Sequence, residues 1–210
     1  EELPRVQRTA PPAGAAAASF VFADVALQGG ERISTGLLTF EVMWTPGHSP
    51  GHICLYETRQ KILLTGDHIL PVTIPNVSFP QPVENPLGKY LDSLRQMAQL
   101  EVELVLPAHE HDFTDLQQRI GEIIRYRQRR LAAIVKVLEP GPRTPYEVAS
   151  NIPWLIKSEG DKGTAFKDLA IWDKRLAMGE VAAHLELLRC EGKIVRSLKG
   201  GTVFYSVARK

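Results

Sequence analysis

Residues 45–70, TPGHSPGHICLYETRQKILLTGDHIL, decide the fold of this 210-residue chain. They hold two short apolar runs, Ile53–Glu57 and Lys61–Thr65, each bounded by glycine, proline or charged residues, which predicts two β-strands. His48 precedes the first run and Asp67 follows the second. Layered α/β proteins place their sites in the loops at strand ends, so we expect these polar side chains to form a site.

The same pattern recurs on both sides of this stretch. Leu37–Trp44 alternates apolar and polar residues and ends shortly before His48, while Val102–Leu106 is an apolar run that ends shortly before His109. Both runs are predicted to be strands. Five of the six histidines lie between positions 48 and 111. Four of them follow the ends of predicted strands, whereas His52 begins a strand and is expected to pack. We expect the strand ends that carry the four to meet on one rim.

Helical spacing of apolar residues divides the rest of the chain into two parts. It predicts helices at Gly88–Leu100, Thr114–Leu138 and Gly179–Cys190. A Pro-Gly-Pro run after Glu139 ends the second helix, and Thr144 then opens a capping box. Two short strands at Ile194–Leu198 and Thr202–Val207 form a hairpin. We predict one domain over residues 1–139 and a small winged-helix domain over residues 140–210.

Composition excludes several classes of function. The formal net charge is +1, so no overall field indicates a membrane surface or nucleic acid as partner. The apolar runs are too short to span a bilayer. Cys54 and Cys190 lie far apart in the sequence, which favours two reduced thiols, as in cytosolic proteins, over a disulfide. A cytoplasmic protein without a membrane partner is expected, and Arg125, Arg127, Arg129 and Arg130 are interpreted as a solvated helix face.

The ordered set of motifs resembles the metallo-β-lactamase-fold hydrolase superfamily. TPGHSPGHICLY is similar to its third metal motif, TGDHIL to its fourth and LPAHEH to its fifth. The resemblance implies that His48 binds the first metal, Asp67 bridges both and His109 binds the second. Zinc is the expected metal, because it accepts imidazole and carboxylate ligands; manganese and iron are the alternatives. His68 and His111 are expected to orient the ligands or to contact the substrate.

One motif of that family is absent. His-x-His-x-Asp-His, which supplies most of the remaining ligands, occurs nowhere in the 210 residues. The resemblance places it before Glu1, in the N-terminal half of an αββα sandwich. We therefore expect the C-terminal half of that sandwich followed by a winged helix. Since the chain also lacks an initial methionine, we expect it to be truncated and inactive alone; natural loss of the site is the alternative.

The resemblance also implies the chemistry. A dinuclear zinc site would act through a metal-bridged hydroxide, with Asp67 as the catalytic residue that holds the ions and the nucleophile. The expected substrate is a small thioester or ester, as in hydroxyacylglutathione hydrolases, because residues 71–86 are apolar enough to wall a pocket. A single-strand endoribonuclease of the same fold is one alternative, and a degenerate non-catalytic or DNA-binding winged-helix protein is another. Expected partners are the missing N-terminal half and, as an open alternative, a second copy in a homodimer.

Overall fold

The computed structural model describes residues 23–80, 84–154 and 164–208. The strands are β1 (Arg32–Ser34), β2 (Thr39–Trp44), β3 (Ile53–Glu57), β4 (Ile62–Gly66), β5 (Leu104–Pro107), β6 (Ile194–Lys199) and β7 (Thr202–Val207). The helices are α1 (Pro86–Met97), α2 (Leu116–Leu138), α3 (Pro145–Ser150) and α4 (Ile171–Cys190), with a 3-10 turn at Phe166–Asp168. The predicted mixed α/β class is confirmed.

The first five strands form one sheet in the order β1-β2-β3-β4-β5. β2 and β3 are antiparallel, β3 and β4 are antiparallel, and β4 and β5 are parallel. Strands β2, β4 and β5 therefore run in the same direction, and their C-terminal ends reach the same edge of the sheet. The loops after these three strands carry His48, Asp67 and His109, so the expected convergence on one rim follows from the strand directions.

The two faces of this sheet differ in burial. On one face Cys54, Leu63 and Val105 are fully buried in a core that α1 and α2 complete. The cross-strand pairs on the other face include Trp44 with Ile53 and Leu64 with Leu106, while Val42, on the same face of β2, is buried. Trp44 is 44% exposed and Leu106 is 37% exposed. We call the half-exposed apolar surface formed by Trp44, Ile53, Leu55, Leu64 and Leu106 the outer sheet face.

The C-terminal part contains the predicted helices and hairpin. The capping box at Thr144 is formed: the Glu147 amide donates to the Thr144 hydroxyl, and the Thr144 amide donates to the Glu147 carboxylate. α4 begins at Ile171, two turns before the predicted start. The first two turns carry exposed apolar residues beside charged ones, so no 3.6-residue apolar stripe indicated a helix there. In the part of the chain that the structure describes, no helix has both the length and the apolar character needed to cross a membrane. The winged-helix assignment stays a prediction.

Helix α2 joins the two predicted domains. Its first half, with Ile120 and Ile123, packs in the core beneath the sheet, and its second half, with Ile134 and Leu138, packs in a second core with α3 and α4. A single continuous helix thus contributes to both cores, and it continues to the predicted boundary at residue 139.

The interpretation of the α2 arginines as a solvated face is wrong for two of the four. Arg127 is fully buried and Arg130 nearly so, whereas Arg125 and Arg129 are exposed. The two buried guanidiniums face Glu180 of α4, with Arg127 NH1 3.0 Å and Arg130 Nε 3.4 Å from its Oε1. Charge periodicity on α2 could not indicate this burial, because the partner carboxylate lies about fifty residues further along the chain.

Candidate metal centre

Three side chains meet at the C-terminal edge of the sheet. His48 Nε2 lies 3.7 Å from Asp67 Oδ2, and His109 Nε2 lies 3.3 Å from Asp67 Oδ1. The two imidazoles therefore face different oxygens of one carboxylate. The side chains of His48 and Asp67 are about one-third exposed and that of His109 is two-thirds exposed, so the site is open to solvent.

The orientation of His48 is fixed by the loop that follows β4. Its Nδ1 lies 3.0 Å from the carbonyl oxygen of Asn76. A carbonyl only accepts, so Nδ1 must carry a proton and donate it, and in the neutral ring Nε2 then keeps a lone pair. Because that nitrogen faces Asp67, the neutral imidazole has the tautomer and the direction that a metal ligand needs.

Asp67 is positioned through its backbone by a histidine that the sequence analysis did not assign to the site. The Asp67 amide donates to His52 Nε2 at 3.2 Å, and His52 Nδ1 lies 2.8 Å from Thr45 Oγ1. Burial, together with the nearby His48, lowers the pKa of His52 and favours the neutral ring that this bond requires. Gly66 permits the approach: its φ is +53°, and an added Cβ would lie 2.7 Å from His52 Nε2.

His68 and His111 lie in different surroundings: His68 is buried beneath the candidate site, and His111 is exposed at the surface. His68 is fully buried, and its Nε2 bonds Ser93 Oγ at 2.9 Å, so it does not reach the surface as a substrate contact would. Burial lowers the pKa of His68 to about 3, and the ring stays neutral. It lies beneath the site, 5.5 Å from the ring of His52. His111 is exposed, two residues past His109.

The loop that carries His109 is fastened by its next residue. Glu110 adopts a left-handed φ of 73°, which is unfavourable for a residue with a side chain. Its carboxylate accepts from the Val72 amide at 2.8 Å, from the Thr73 amide at 3.1 Å and from the Thr73 hydroxyl. Partial burial acts to raise the pKa of Glu110, but these hydrogen bonds outweigh it and lower that pKa. The carboxylate form therefore holds the His109 loop against the loop after β4.

The donor set fits part of a metal site. Asp67 Oδ1 is buried and accepts no hydrogen bond from the residues that the structure describes, although a buried carboxylate oxygen ordinarily has a partner. A divalent cation between Asp67 and the imidazoles would supply one. Within residues 23–80, 84–154 and 164–208, however, no group of three or more His, Cys, Asp or Glu side chains is arranged to hold a metal ion. Two imidazoles and one carboxylate are too few for two ions.

Two imidazoles turned toward one carboxylate, at the edge where like-directed strands end, are typical of metal-dependent hydrolases as a class. Comparison with known proteins makes the assignment more specific. The model of a family described as Metallo-beta-lactamase superfamily matches residues 3–109, which is 107 of the 210 residues. The chain belongs to the metallo-β-lactamase superfamily, whose members are generally metal-dependent hydrolases that use divalent ions such as zinc or iron.

Relatives match along most of the chain. The "Probable metallo-hydrolase YqjP" of Bacillus subtilis is 27% identical over 182 residues, which cover 83% of this chain and 52% of that protein. A metallo-β-lactamase family protein from Thermus thermophilus is 30% identical with a TM-score of 0.73, over 89% of this chain and 55% of its own. A β-lactamase domain protein from Burkholderia ambifaria is 28% identical with the same TM-score, over 87% and 51%. The chain thus spans about half the length of these relatives.

Several residues that shape the site escaped the sequence analysis. Asn76 acts through its carbonyl, which any residue possesses, so no sequence signal could have found it. His52 lies at the start of a strand, where the local pattern indicates packing and gives no sign of a bond to the Asp67 amide. Glu110, however, lies between two histidines in LPAHEH, and a carboxylate at that position was a signal that could have been used.

Proposed function

We propose that this chain supplies the C-terminal part of a dinuclear metallo-hydrolase, with His48, Asp67 and His109 as its contribution to the metal ligands. One observation carries the proposal: the Nε2 atoms of His48 and His109 face opposite oxygens of Asp67, at 3.7 Å and 3.3 Å. A carboxylate approached in this way can bridge two cations, each with its own imidazole ligand. Zinc is the proposed metal, with manganese or iron as alternatives.

Each residue then has a defined task. His48 offers Nε2 because its proton is held on Nδ1 by Asn76. Asp67 would bridge the cation bound by His48 and the cation bound by His109. His52 fixes the backbone of Asp67 by accepting a hydrogen bond from its amide. When bound, two divalent ions supply a water-derived nucleophile near neutral pH and stabilise the negative charge that develops on the substrate.

A small thioester or ester is the proposed substrate class. The loop after β4 presents the apolar side chain of Val72 at the surface, 56% exposed, and the Val72 amide is bound to Glu110 beside His109. An exposed apolar side chain on the loop that contacts Glu110 supports an uncharged acyl substrate rather than a polyanion. The endoribonuclease alternative is disfavoured, because Arg127 and Arg130 of the basic helix α2 are buried and do not face solvent where a phosphate backbone could bind.

DNA binding through the C-terminal part is also disfavoured. The helix that would read a groove, α4, packs against α1 and α2 and buries Glu180, His184 and Glu186. A recognition helix must instead present exposed basic or amide side chains to base edges. We propose that the C-terminal part acts within this protein rather than on nucleic acid.

The outer sheet face is the proposed contact surface for the N-terminal half of the fold. An apolar sheet face ordinarily packs on a second layer, and about half the length of the relatives lies outside the matched region. The absent His-x-His-x-Asp-His motif would be carried by that half. We use "full-length protein" below for the complete reading frame to which these 210 residues belong.

A charge placed on the outer sheet face should reveal its occupant. Leu106→Glu in the full-length protein is expected to cost about 3 kcal/mol of unfolding free energy, because the carboxylate would be buried under the second layer. Val195→Glu is the matched control, since Val195 is 50% exposed on the β6–β7 hairpin. Urea unfolding measures both. Equal, small losses in the two variants would show that the outer sheet face is in contact with solvent.

Removal of one proposed ligand should change the metal content. His109→Ala in the full-length protein is expected to lower bound zinc from about two ions per chain to about one, since one ion would lose its imidazole from this chain. Asp92→Ala, which removes an exposed carboxylate on α1, should leave the content unchanged. Elemental analysis after zinc loading and desalting measures both. Equal metal content in the two variants would contradict the ligand assignment, and a wild type without metal would contradict the proposed function.

A further inference from the structure

The loop Leu70–Phe79, which we call the site loop, contacts both proposed imidazole ligands or their immediate neighbours. The carbonyl of Asn76 accepts from His48 Nδ1. The amides of Val72 and Thr73 donate to Glu110, the residue after His109. Any displacement of the site loop would therefore move the hydrogen-bond partner of one proposed ligand and the support of the other.

Helix α2 holds the site loop from behind through two buried arginines. Arg119 Nε donates to the Leu70 carbonyl at 2.6 Å, and its NH2 donates to the carbonyls of Val72 and Thr73 at 2.9 Å each. Arg127 NH2 donates to the carbonyl of Pro75, the residue before Asn76. Buried guanidinium bonds to carbonyls are costly to break, because the charge would then lack a partner.

Helix α4 of the C-terminal part holds the end of the site loop. The Phe79 amide donates to the Gly179 carbonyl at 3.0 Å, although that carbonyl belongs to a helix. The approach is close: a Cβ added to Gly179 would lie 2.7 Å from Ser78 Oγ and 2.9 Å from Ser78 Cβ. Ser78 Oγ in turn bonds Asn76 Oδ1. Successive contacts therefore connect Gly179 to Ser78, Ser78 to Asn76, and Asn76 to His48.

An ion pair also connects α4 to the site loop. Glu180, the residue after Gly179, has its Oε1 3.0 Å from Arg127 NH1, and the same guanidinium binds Pro75. Pro75, before Asn76, and Phe79, three residues after it, are thus held by groups that α4 orients or supplies. This packing requires a residue without a side chain at 179, where a helix would otherwise favour alanine.

We propose that α4 positions the imidazole of His48 through the site loop, with Gly179 as the positioning residue that sets the distance between helix and loop. The inference rests on the proposed function, because it treats His48 as a metal ligand. It assigns the C-terminal part a role: these residues keep the His48 ring in the tautomer and direction that leave Nε2 free for a metal.

Gly179→Ala in the full-length protein tests the proposal, with Gly121→Ala as the matched control. Both glycines lie inside helices, so both substitutions gain the same helical propensity. The new Cβ at 179 would meet Ser78, whereas the Cβ at 121 would meet only the mobile end of Arg125. Ser78→Ala, which removes the bond to Asn76 Oδ1 without an added atom, is a milder second variant. Thermal melting verifies that each variant folds.

The primary measurement is the nitrogen chemical shifts of His48 in metal-free protein, which report the tautomer; His48→Gln assigns the signal. Gly179→Ala and Ser78→Ala are expected to shift the signal away from the wild-type Nδ1-protonated form and to weaken zinc binding about tenfold, as loss of a ligand's hydrogen-bond support does. Gly121→Ala should match the wild type. A His48 signal that is unchanged in both Gly179→Ala and Ser78→Ala would overturn the positioning role, even if zinc binds normally. A wild type that binds no zinc, with a His48 signal that still responds to Gly179→Ala, would refute the proposed function and leave the positioning role standing.

Discussion

Asp67→Asn in the full-length protein is expected to lower kcat/KM for an ester or thioester about a thousandfold, a loss of ~4 kcal/mol of transition-state stabilisation. The reason is geometric. Both carboxylate oxygens face an imidazole nitrogen, one at 3.7 Å and one at 3.3 Å, and an amide would replace one of them with an N–H group that cannot bind a cation. The substitution keeps the size of the side chain, so the fold should not change.

The control for this substitution is Asp92→Asn. Asp92 lies on α1 with a side chain 69% exposed and pairs with Arg95, one turn later on the same helix; its neutralisation should leave kcat/KM unchanged. Steady-state rates and bound zinc are measured on both variants. Activity of Asp67→Asn within tenfold of wild type, at full metal content, would exclude a bridging role for Asp67.

Glu180→Gln is expected to be the most destabilising single substitution considered, at about 3–5 kcal/mol of unfolding free energy. Glu180 is the carboxylate between the buried Arg127 and Arg130, so its neutralisation removes the counter-ion that both guanidiniums have among the described residues. The effect should spread to both cores, because α2 and α4 meet at this point. Chemical unfolding of the full-length protein measures the loss.

The dependence on pH separates a charge effect from a packing effect. Burial acts to raise the pKa of Glu180, but Arg127, His184 and Arg130 outweigh it and hold that pKa below its ordinary value of 4.5. The carboxylate therefore stabilises the fold above pH 4.5, and this contribution is lost as the pH falls through the lowered pKa. The difference between wild type and Glu180→Gln should shrink in that range. Glu101→Gln, in an exposed pair with Lys61, should cost far less at any pH.

Part of this protein could be predicted from local pattern alone. The strands β2 to β5 and the helix α2 were found within a few residues of their bounds, because short apolar runs and a 3.6-residue stripe are properties of neighbouring positions. The resemblance singled out His48, Asp67 and His109 as candidate ligands, and each of them lies within a few residues of a strand end. Strand direction then brings them together, as β2, β4 and β5 run the same way.

The sequence by itself therefore determined the class of fold, the superfamily resemblance and the three residues of the candidate metal centre. Only the tertiary structure decided what surrounds them. It buried His68, turned His52 onto the Asp67 amide and placed Arg127 against Glu180 rather than in solvent. Periodicity and motif spacing describe neighbours along the chain. The bonds that orient His48 and Asp67 join residues 15 to 28 positions apart, and the ion pair behind the site loop joins residues further apart still.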